Sequence, residues 1–388
     1  MARVAVAMSG GVDSAVAAAL LVDEGHEVVG ITMNLWPIWV PQTGEGSGCC
    51  GIGAIDDARS VARHLGIRHY VLNLRSEFER EVIAYFAAEY ARGRTPNPCI
   101  ACNKAIKFDL LLRRALGLEM QALATGHYAR VDRGADGRYR LLRAADPQKD
   151  QSYVLAGLRQ EQLAYLSFPV GASTKAQVRD IARRQGLGVA DKPDSQEICF
   201  VPDGDYAAVV ARFEPEALRA GPIFDLDGAR LGEHRGLARY TVGQRRGLGL
   251  AGGSRRYVVG IDPGRNALVV GAGAAVRCPE LIANEMNWIA IPGLDRARMV
   301  GARIRHASTD LPAVIAPAPG GAVTVRFETW PRAAAPGQAI AFYEGDVVLG
   351  GGVIDEVRMK GLAAREAATP AGVRSGARTG TISLGGGE

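Results

Sequence analysis

The hexapeptide Ser9-Gly10-Gly11-Val12-Asp13-Ser14 limits the possible folds more than any other part of this sequence. It follows the apolar run Val4 to Met8, which reads as a buried strand, and precedes Ala15 to Leu21, which reads as a helix. A chain that passes from strand to helix through small residues aims free backbone N–H groups and the positive end of a helix at one spot, where an anion is attracted. Gly10 and Gly11 let the backbone come close, and the hydroxyls of Ser9 and Ser14 can donate to phosphate oxygens. The Asp13 carboxylate fits beside a polyphosphate if magnesium lies between them. The Walker A pattern and its lysine are absent, so this is a different class of phosphate loop.

Residues 1–204 continue the alternation of strand and helix. Strands are predicted at Glu27 to Met33, His69 to Leu74 and Ala122 to Thr125, and helices at Ile55 to Leu65, Glu77 to Arg92 and Asn103 to Leu116. This predicts an α/β domain with a doubly wound parallel sheet. Ligands of such sheets collect at the carboxyl ends of strands, where Met33, Gly126 and the Ser9–Ser14 loop all fall. Residues 205–284 form short, glycine-punctuated, arginine-bearing segments, expected as a small central domain. Residues 285–362 carry short β patterns with turn signals, which predict a barrel-like domain. The stretch 363–388 has no periodicity and reads as a disordered tail.

No apolar run reaches the 18 or more residues needed to span a membrane, and no signal peptide is expected, so the cytoplasm is the expected compartment. The net charge is +5 and arginine outnumbers lysine 40 to 6, a balance that suits phosphate and base recognition but also follows from codon bias in a chain rich in alanine and glycine. Arg239, Arg245, Arg246, Arg255 and Arg256, interleaved with Tyr240 and Tyr257, are the local concentration that favours a polyanionic partner.

Six cysteines in 388 residues are not a disulfide scaffold. Thr95-Pro96-Asn97-Pro98-Cys99-Ile100-Ala101-Cys102-Asn103-Lys104 places Cys102 next to a helix that Asn103 is expected to cap, with Lys104 and Lys107 nearby, an environment that favours the thiolate. Cys199, between Ile198 and Phe200, is a distant second thiol. From spacing alone, sulfur or redox chemistry, a metal or cluster, and inert packing all stay open. Cys49, Cys50 and Cys278 receive no role.

Taken in order, the Ser9–Ser14 loop, Thr95 to Asn103, Thr125-Gly126-His127-Tyr128, Lys149-Asp150-Gln151-Ser152-Tyr153, Ile198-Cys199-Phe200, Tyr240 to Leu248 and Leu349-Gly350-Gly351-Gly352 resemble the bacterial tRNA-specific 2-thiouridylases, members of the ATP pyrophosphatase (PP-loop) superfamily. The resemblance covers roughly residues 1–360. It implies an ATP-dependent tRNA-uridine 2-sulfurtransferase that adenylates the C2 oxygen of the wobble uridine and replaces it with persulfide sulfur. Its products are 2-thiouridine, AMP and pyrophosphate. It further implies Cys199 as the persulfide carrier and Cys102 as the nucleophile that releases the sulfur, leaving a Cys102–Cys199 disulfide. ATP would meet Ala7, Met8, Ser9, Gly10, Gly11, Val12, Asp13, Ser14, Met33 and Gly126, with Ala7 standing where many relatives have glycine.

The target base would lie at Asn97, Pro98 and Cys99, and His127, Lys149, Asp150, Gln151, Arg303, Ile304 and Gln338 would meet tRNA. Cys99 replaces an aspartate given acid–base work in some relatives. This leaves two expectations for it: proton transfer, or an iron–sulfur cluster held by Cys99, Cys102 and Cys199. The expected cofactors are ATP and Mg2+, with no protein metal ligand assigned. The expected partners are a tRNA with a wobble uridine and a persulfide donor or relay protein, and the expected state is a monomer. Competing readings are a PP-loop synthetase that adenylates a small molecule, and a nucleotide- or RNA-binding regulator without catalysis.

Overall fold

The computed structural model describes residues 1–40, 52–194, 198–201, 204–250, 255–306 and 308–359. The expected tail at 363–388 lies outside them, as do Cys49 and Cys50. The N-terminal part is built on five parallel strands in the order Arg68–Asn73, Glu27–Asn34, Arg3–Ala7, Ala122–Thr125 and Leu166–Ser167. Alternation along the first strand sends Val4 and Val6 to one face and Ala5 to the other. Val4 and Val6 share a core with the helices Val12–Asp23, Ile52–His64 and Lys175–Arg184. Ala5, Ile31 and Met33 share the second core with Phe78, Phe86, Ile106 and Leu111 of two long helices spanning 75–91 and 98–117. The sheet is doubly wound, as the alternation predicts. Both long helices contain π-helical turns, at Glu79–Ile83 and Cys102–Leu111.

The central part is a four-stranded sheet in the order Tyr257–Asp262, Ala267–Gly271, Gly221–Phe224 and Arg230–His234, packed on Ile223, Val258, Leu268 and Val270. Beyond it, Glu280–Trp288, Val323–Phe327, Leu311–Pro317, Arg298–Arg303, Ala339–Glu344 and Val347–Arg358 close into a six-stranded barrel, the last strand pairing back to the first. Closure leaves no free sheet edge among these six. The barrel encloses Leu281, Ile315, Val325 and Phe342.

A hairpin from the N-terminal part, Ala129–Arg133 with Tyr139–Arg143, extends this barrel sheet through Val347↔Leu142 and Val348↔Leu141. A buried polar cluster adds to the join. Asp150 is bound by Arg303 at 2.9 Å, Arg303 also reaches Asp310 at 2.8 Å, and the Arg143 guanidinium lies 3.7 Å from the centre of the Tyr343 ring.

The approach to the 98–117 helix is held by both other parts. Arg94 pairs with Glu89 and with Asp355 of the barrel, the Thr95 amide donates to Pro336 O at 2.8 Å, and Gly93 is backed by Ile261 and Pro263 of the central sheet. Among the described residues no helix is long and apolar enough to cross a membrane.

Candidate functional site

Gly11 starts the helix Val12–Asp23 with extended backbone (φ −98°, ψ 162°), and no side chain caps it, so its first N–H groups remain available to an anion. Ser14 shapes the loop internally: its Oγ donates to Gly11 O at 3.1 Å and accepts from the Ser9 amide at 3.1 Å. Gly10 has φ +68°, and a Cβ there would stand 2.2 Å from Ala54 O. Gly126 packs directly on the loop, where a Cβ would lie 2.5 Å from the Ser14 amide nitrogen. The loop and Gly126 therefore meet as expected, because both follow neighbouring parallel strands paired at Ala7↔Thr125. Met33, at the end of the adjacent strand, is buried on the face that Ala7 shares, and Met8 is buried on the other.

Asp13 occupies a different setting from the one expected. Lys175 Nζ donates to both its oxygens, at 2.7 and 2.9 Å, and the Tyr128 hydroxyl donates to Oδ1 at 2.7 Å. Burial and then the Asp13 charge push the Tyr128 pKa far above the ordinary tyrosine value, so the hydroxyl stays a donor. Lys175 also binds Asp194, which Lys149 and Arg179 contact as well. Lys192 Nζ donates to Gly10 O at 3.0 Å and to Asp57 Oδ2 at 2.5 Å.

Lys175 and Lys192 thus sit against the phosphate loop although they lie more than 160 positions along the chain. Sequence reasoning missed them. The signal was the lysine scarcity itself, since Lys149, Lys175 and Lys192 are three of only six lysines among 46 basic residues.

The helix that carries Cys99 and Cys102 starts earlier than predicted. Asn97 is the N-cap, its Oδ1 accepting from the Cys99 and Ile100 amides at 3.1 and 3.2 Å, with Pro98 at the first helical position. Asn103 is no cap: it is buried inside the helix and donates from Nδ2 to Val154 O. Cys99 therefore lies in the first turn and is exposed, whereas Cys102 lies one turn in and is buried. Cys199 is half-buried beside Phe200, whose ring packs edge-on against Phe78 and Phe86. The helix turn Pro98–Ala101 contacts Glu79–Ile83 of that same 75–91 helix. One helix thus supports both thiol segments.

The remaining expected contacts divide into two groups. Lys149 is half-exposed beside the phosphate loop cluster, His127 accepts or donates at Thr125 Oγ1 (2.7 Å) between the Phe108 and Phe168 rings, and Gln338 is half-buried at the start of a barrel strand. Asp150 and Ile304 are buried, Arg303 is half-buried against Asp150, and Gln151 clamps the Tyr128 backbone through both its amide and its side-chain oxygen.

Family profiles match in register with this architecture: a tRNA methyl transferase HUP domain over residues 2–203, a tRNA methyl transferase PRC-barrel domain over 208–272, and an aminomethyltransferase beta-barrel domain over 279–354. The tRNA-specific 2-thiouridylase MnmA of Heliobacterium modesticaldum is 51% identical over 354 residues, covering 90% of this chain and 92% of that protein. The protein of the same name from Symbiobacterium thermophilum is 51% identical over 358 residues, covering 91% and 92%. Among solved structures, a 4-thiouridine synthetase–RNA complex with bound ATP aligns with a TM-score of 0.34 and 16% identity over 55% of this chain and 51% of that one.

Proposed function

The chain belongs to the family of tRNA-specific 2-thiouridylases, and from that premise we propose how its residues divide the reaction. It is a tRNA 2-thiouridylase, a sulfurtransferase that uses ATP. The profile descriptions speak of methyl transfer, but a phosphate loop joined to two thiol segments suits activation followed by sulfur delivery. The observation that carries this reading is the shared support: the sheet that presents the loop also seats the 75–91 helix on which both thiol segments pack.

The uridine C2 oxygen attacks the α-phosphorus of ATP, and pyrophosphate leaves. The loop amides, Lys175 and Lys192 neutralise the charge that builds on the departing phosphates. Cys199 carries the sulfur as a persulfide. The Cys102 thiolate attacks Cys199 Sγ, the terminal sulfur leaves as hydrosulfide and attacks C2, and AMP departs with the former carbonyl oxygen. A Cys102–Cys199 disulfide remains, which an external dithiol reduces with two electrons, becoming a disulfide itself. Cys99, at the mouth of the helix, lies near the target base with Asn97 and Pro98. Ala7, Met8, Met33 and Gly126 line the nucleotide, and His127, Lys149 and Gln338 contact the tRNA. Asp150, Gln151, Arg303 and Ile304 act by holding the parts together.

Magnesium accompanies the nucleotide rather than a protein ligand set, because the carboxylates at the loop, Asp13, Asp57 and Asp194, are each bound by lysine. No step is routed through it. Nor do Cys99, Cys102 and Cys199 fit an iron–sulfur cluster: no three metal-ligating side chains are grouped among the described residues. The reaction is placed in the cytoplasm, with a monomeric enzyme loaded by a persulfide donor. The test is mass analysis of an unmodified substrate tRNA after incubation with ATP, magnesium and a persulfide donor. A gain matching sulfur for oxygen is expected at the wobble uridine. No gain with a competent tRNA refutes the proposal.

A further inference from the structure

Where the central sheet passes into the barrel, an open cleft of about 690 Å3 is lined by Gly273, Ala274, Arg277, Glu328, Thr329, Trp330 and Arg332. Its volume is in the range of small-ligand sites. None of these residues belongs to the phosphate loop or the thiol segments. The walls are tied together: Arg277 and Arg332 form a β-bridge, and Arg277 Nη1 donates to Trp330 O at 3.0 Å. Trp330 is one of the few large apolar side chains left exposed, at 39%. Arg332 lies over the Tyr257 ring, 5.2 Å from its centre, and Gly273 leaves room for that pair, since a Cβ there would come within 3.2 Å of the ring and 3.4 Å of Arg332 Nη2. Hydrogen bonding from Arg332, opposed by desolvation and aided by the charges of Arg332 and Arg245, lowers the Tyr257 pKa.

The charge here is unbalanced. Several exposed arginines elsewhere are matched to acids, among them Arg68 to Glu27, Arg183 to Asp191 and Arg326 to Glu280. Among the described residues, Arg245, Arg277 and Arg332 have no carboxylate within ion-pairing distance, although Glu328 lines the cleft. Unneutralised guanidinium groups beside an exposed indole are what a nucleotide needs, a cation for its phosphate and a flat apolar surface for its base.

We propose that this cleft is a second nucleotide-binding site, which takes one nucleotide of the substrate tRNA other than the uridine that is thiolated. The base stacks on Trp330 and the phosphate sits between Arg277 and Arg332. Glu328 accepts from an exocyclic amino group, as carboxylates do from cytosine N4. The proposal rests on the tRNA reading above.

The test uses the full chain and an unmodified substrate tRNA, with affinity measured over a salt series and thiolation followed in single turnover at saturating tRNA. Trp330→Ala is expected to weaken binding about tenfold and Trp330→Phe to restore most of it, with the saturated rate and the KM for ATP unchanged. Arg277→Gln combined with Arg332→Gln is expected to lower the slope of log affinity against log salt by about 1.5. Thermal unfolding midpoints of all variants within a degree or two of the parent would assign these losses to the contact. Wild-type affinity and salt slope in Trp330→Ala and in the arginine pair would overturn the proposal and leave the tRNA reading standing. A parent protein that binds no tRNA would overturn both.

Discussion

Gly126→Ala is the sharpest perturbation of the phosphate loop, because its size follows from the backbone alone. The added methyl would stand 2.5 Å from the Ser14 amide nitrogen and 2.6 Å from the Asp13 carbonyl carbon, whereas ordinary contact begins at 3.4 Å. The loop must retreat by about 0.9 Å, and both neighbours are backbone, so no side chain can swing away. A misplacement on the order of 1 Å costs about 100-fold where amides must meet a transition-state charge. Overpacking should also cost about 1–3 kcal/mol of stability. The assay is tRNA-dependent pyrophosphate release with ATP varied, beside urea unfolding. We expect kcat/KM for ATP to fall about 100-fold while tRNA affinity holds.

Gly11→Ala is the control. Its methyl would meet only Ser9 Oγ, at 3.6 Å, so the unliganded protein should lose no more than about 1 kcal/mol. Gly126→Ala with kcat/KM within threefold of the parent would refute the claim that close contact between these two strand ends positions the nucleotide.

Arg303→Gln, if the residue is a join rather than an RNA contact, should destabilise the fold by about 3 kcal/mol in urea, because Asp150 is only 5% exposed and would lose its closest cation. Burial works to raise the Asp194 pKa, but hydrogen bonds and charge from Lys149 and Lys175 outweigh it and hold the pKa below 3.8. That contribution to stability is present above pH 3.8 and is lost as pH falls through the lowered value. Acid titration of unfolding should therefore show the deficit of a Lys149→Met, Lys175→Met variant at neutral pH shrinking below pH 3.8. Burial pushes the Cys278 thiol up to about 12, so brief alkylation of the native protein near neutral pH, read by peptide mass, should label exposed Cys99 and spare Cys278. Cys102→Ser and Cys199→Ser should abolish sulfur transfer while pyrophosphate release persists.

The nucleotide half of the site was legible because its signals are local. Strand, glycine turn and helix follow one another within 23 residues, and parallel pairing of neighbouring strands then brings Gly126 to the loop. The helix start at Pro98 was readable too, since an Asn-Pro pair is a cap followed by a first helical residue. Asn103 competed as a cap by residue type and lost because it is buried in the helix interior. The Asp136-Gly137 step marks a hairpin in sequence, yet nothing local says that Leu141 and Leu142 will pair with Val348 and Val347. Lysine scarcity singles out Lys175 and Lys192, but for the same reason nothing local places them beside Asp13 and Gly10. Arg303 and Asp150, read as RNA contacts, face each other because the barrel docks there, and docking leaves no periodic trace in sequence.

The strand Val347–Arg358 both seals the barrel and receives the 129–143 hairpin. Order of synthesis gives this arrangement a cost in time. The hairpin leaves the ribosome about 200 residues ahead of its partner, a wait of roughly ten to forty seconds at bacterial elongation rates. For most of that interval a nascent chain that already owns its phosphate loop, Cys102 and Cys199 carries an open β edge, and edges of that kind recruit other strands. Translation that stalls short of residue 347 should therefore yield an aggregation-prone fragment rather than a smaller enzyme.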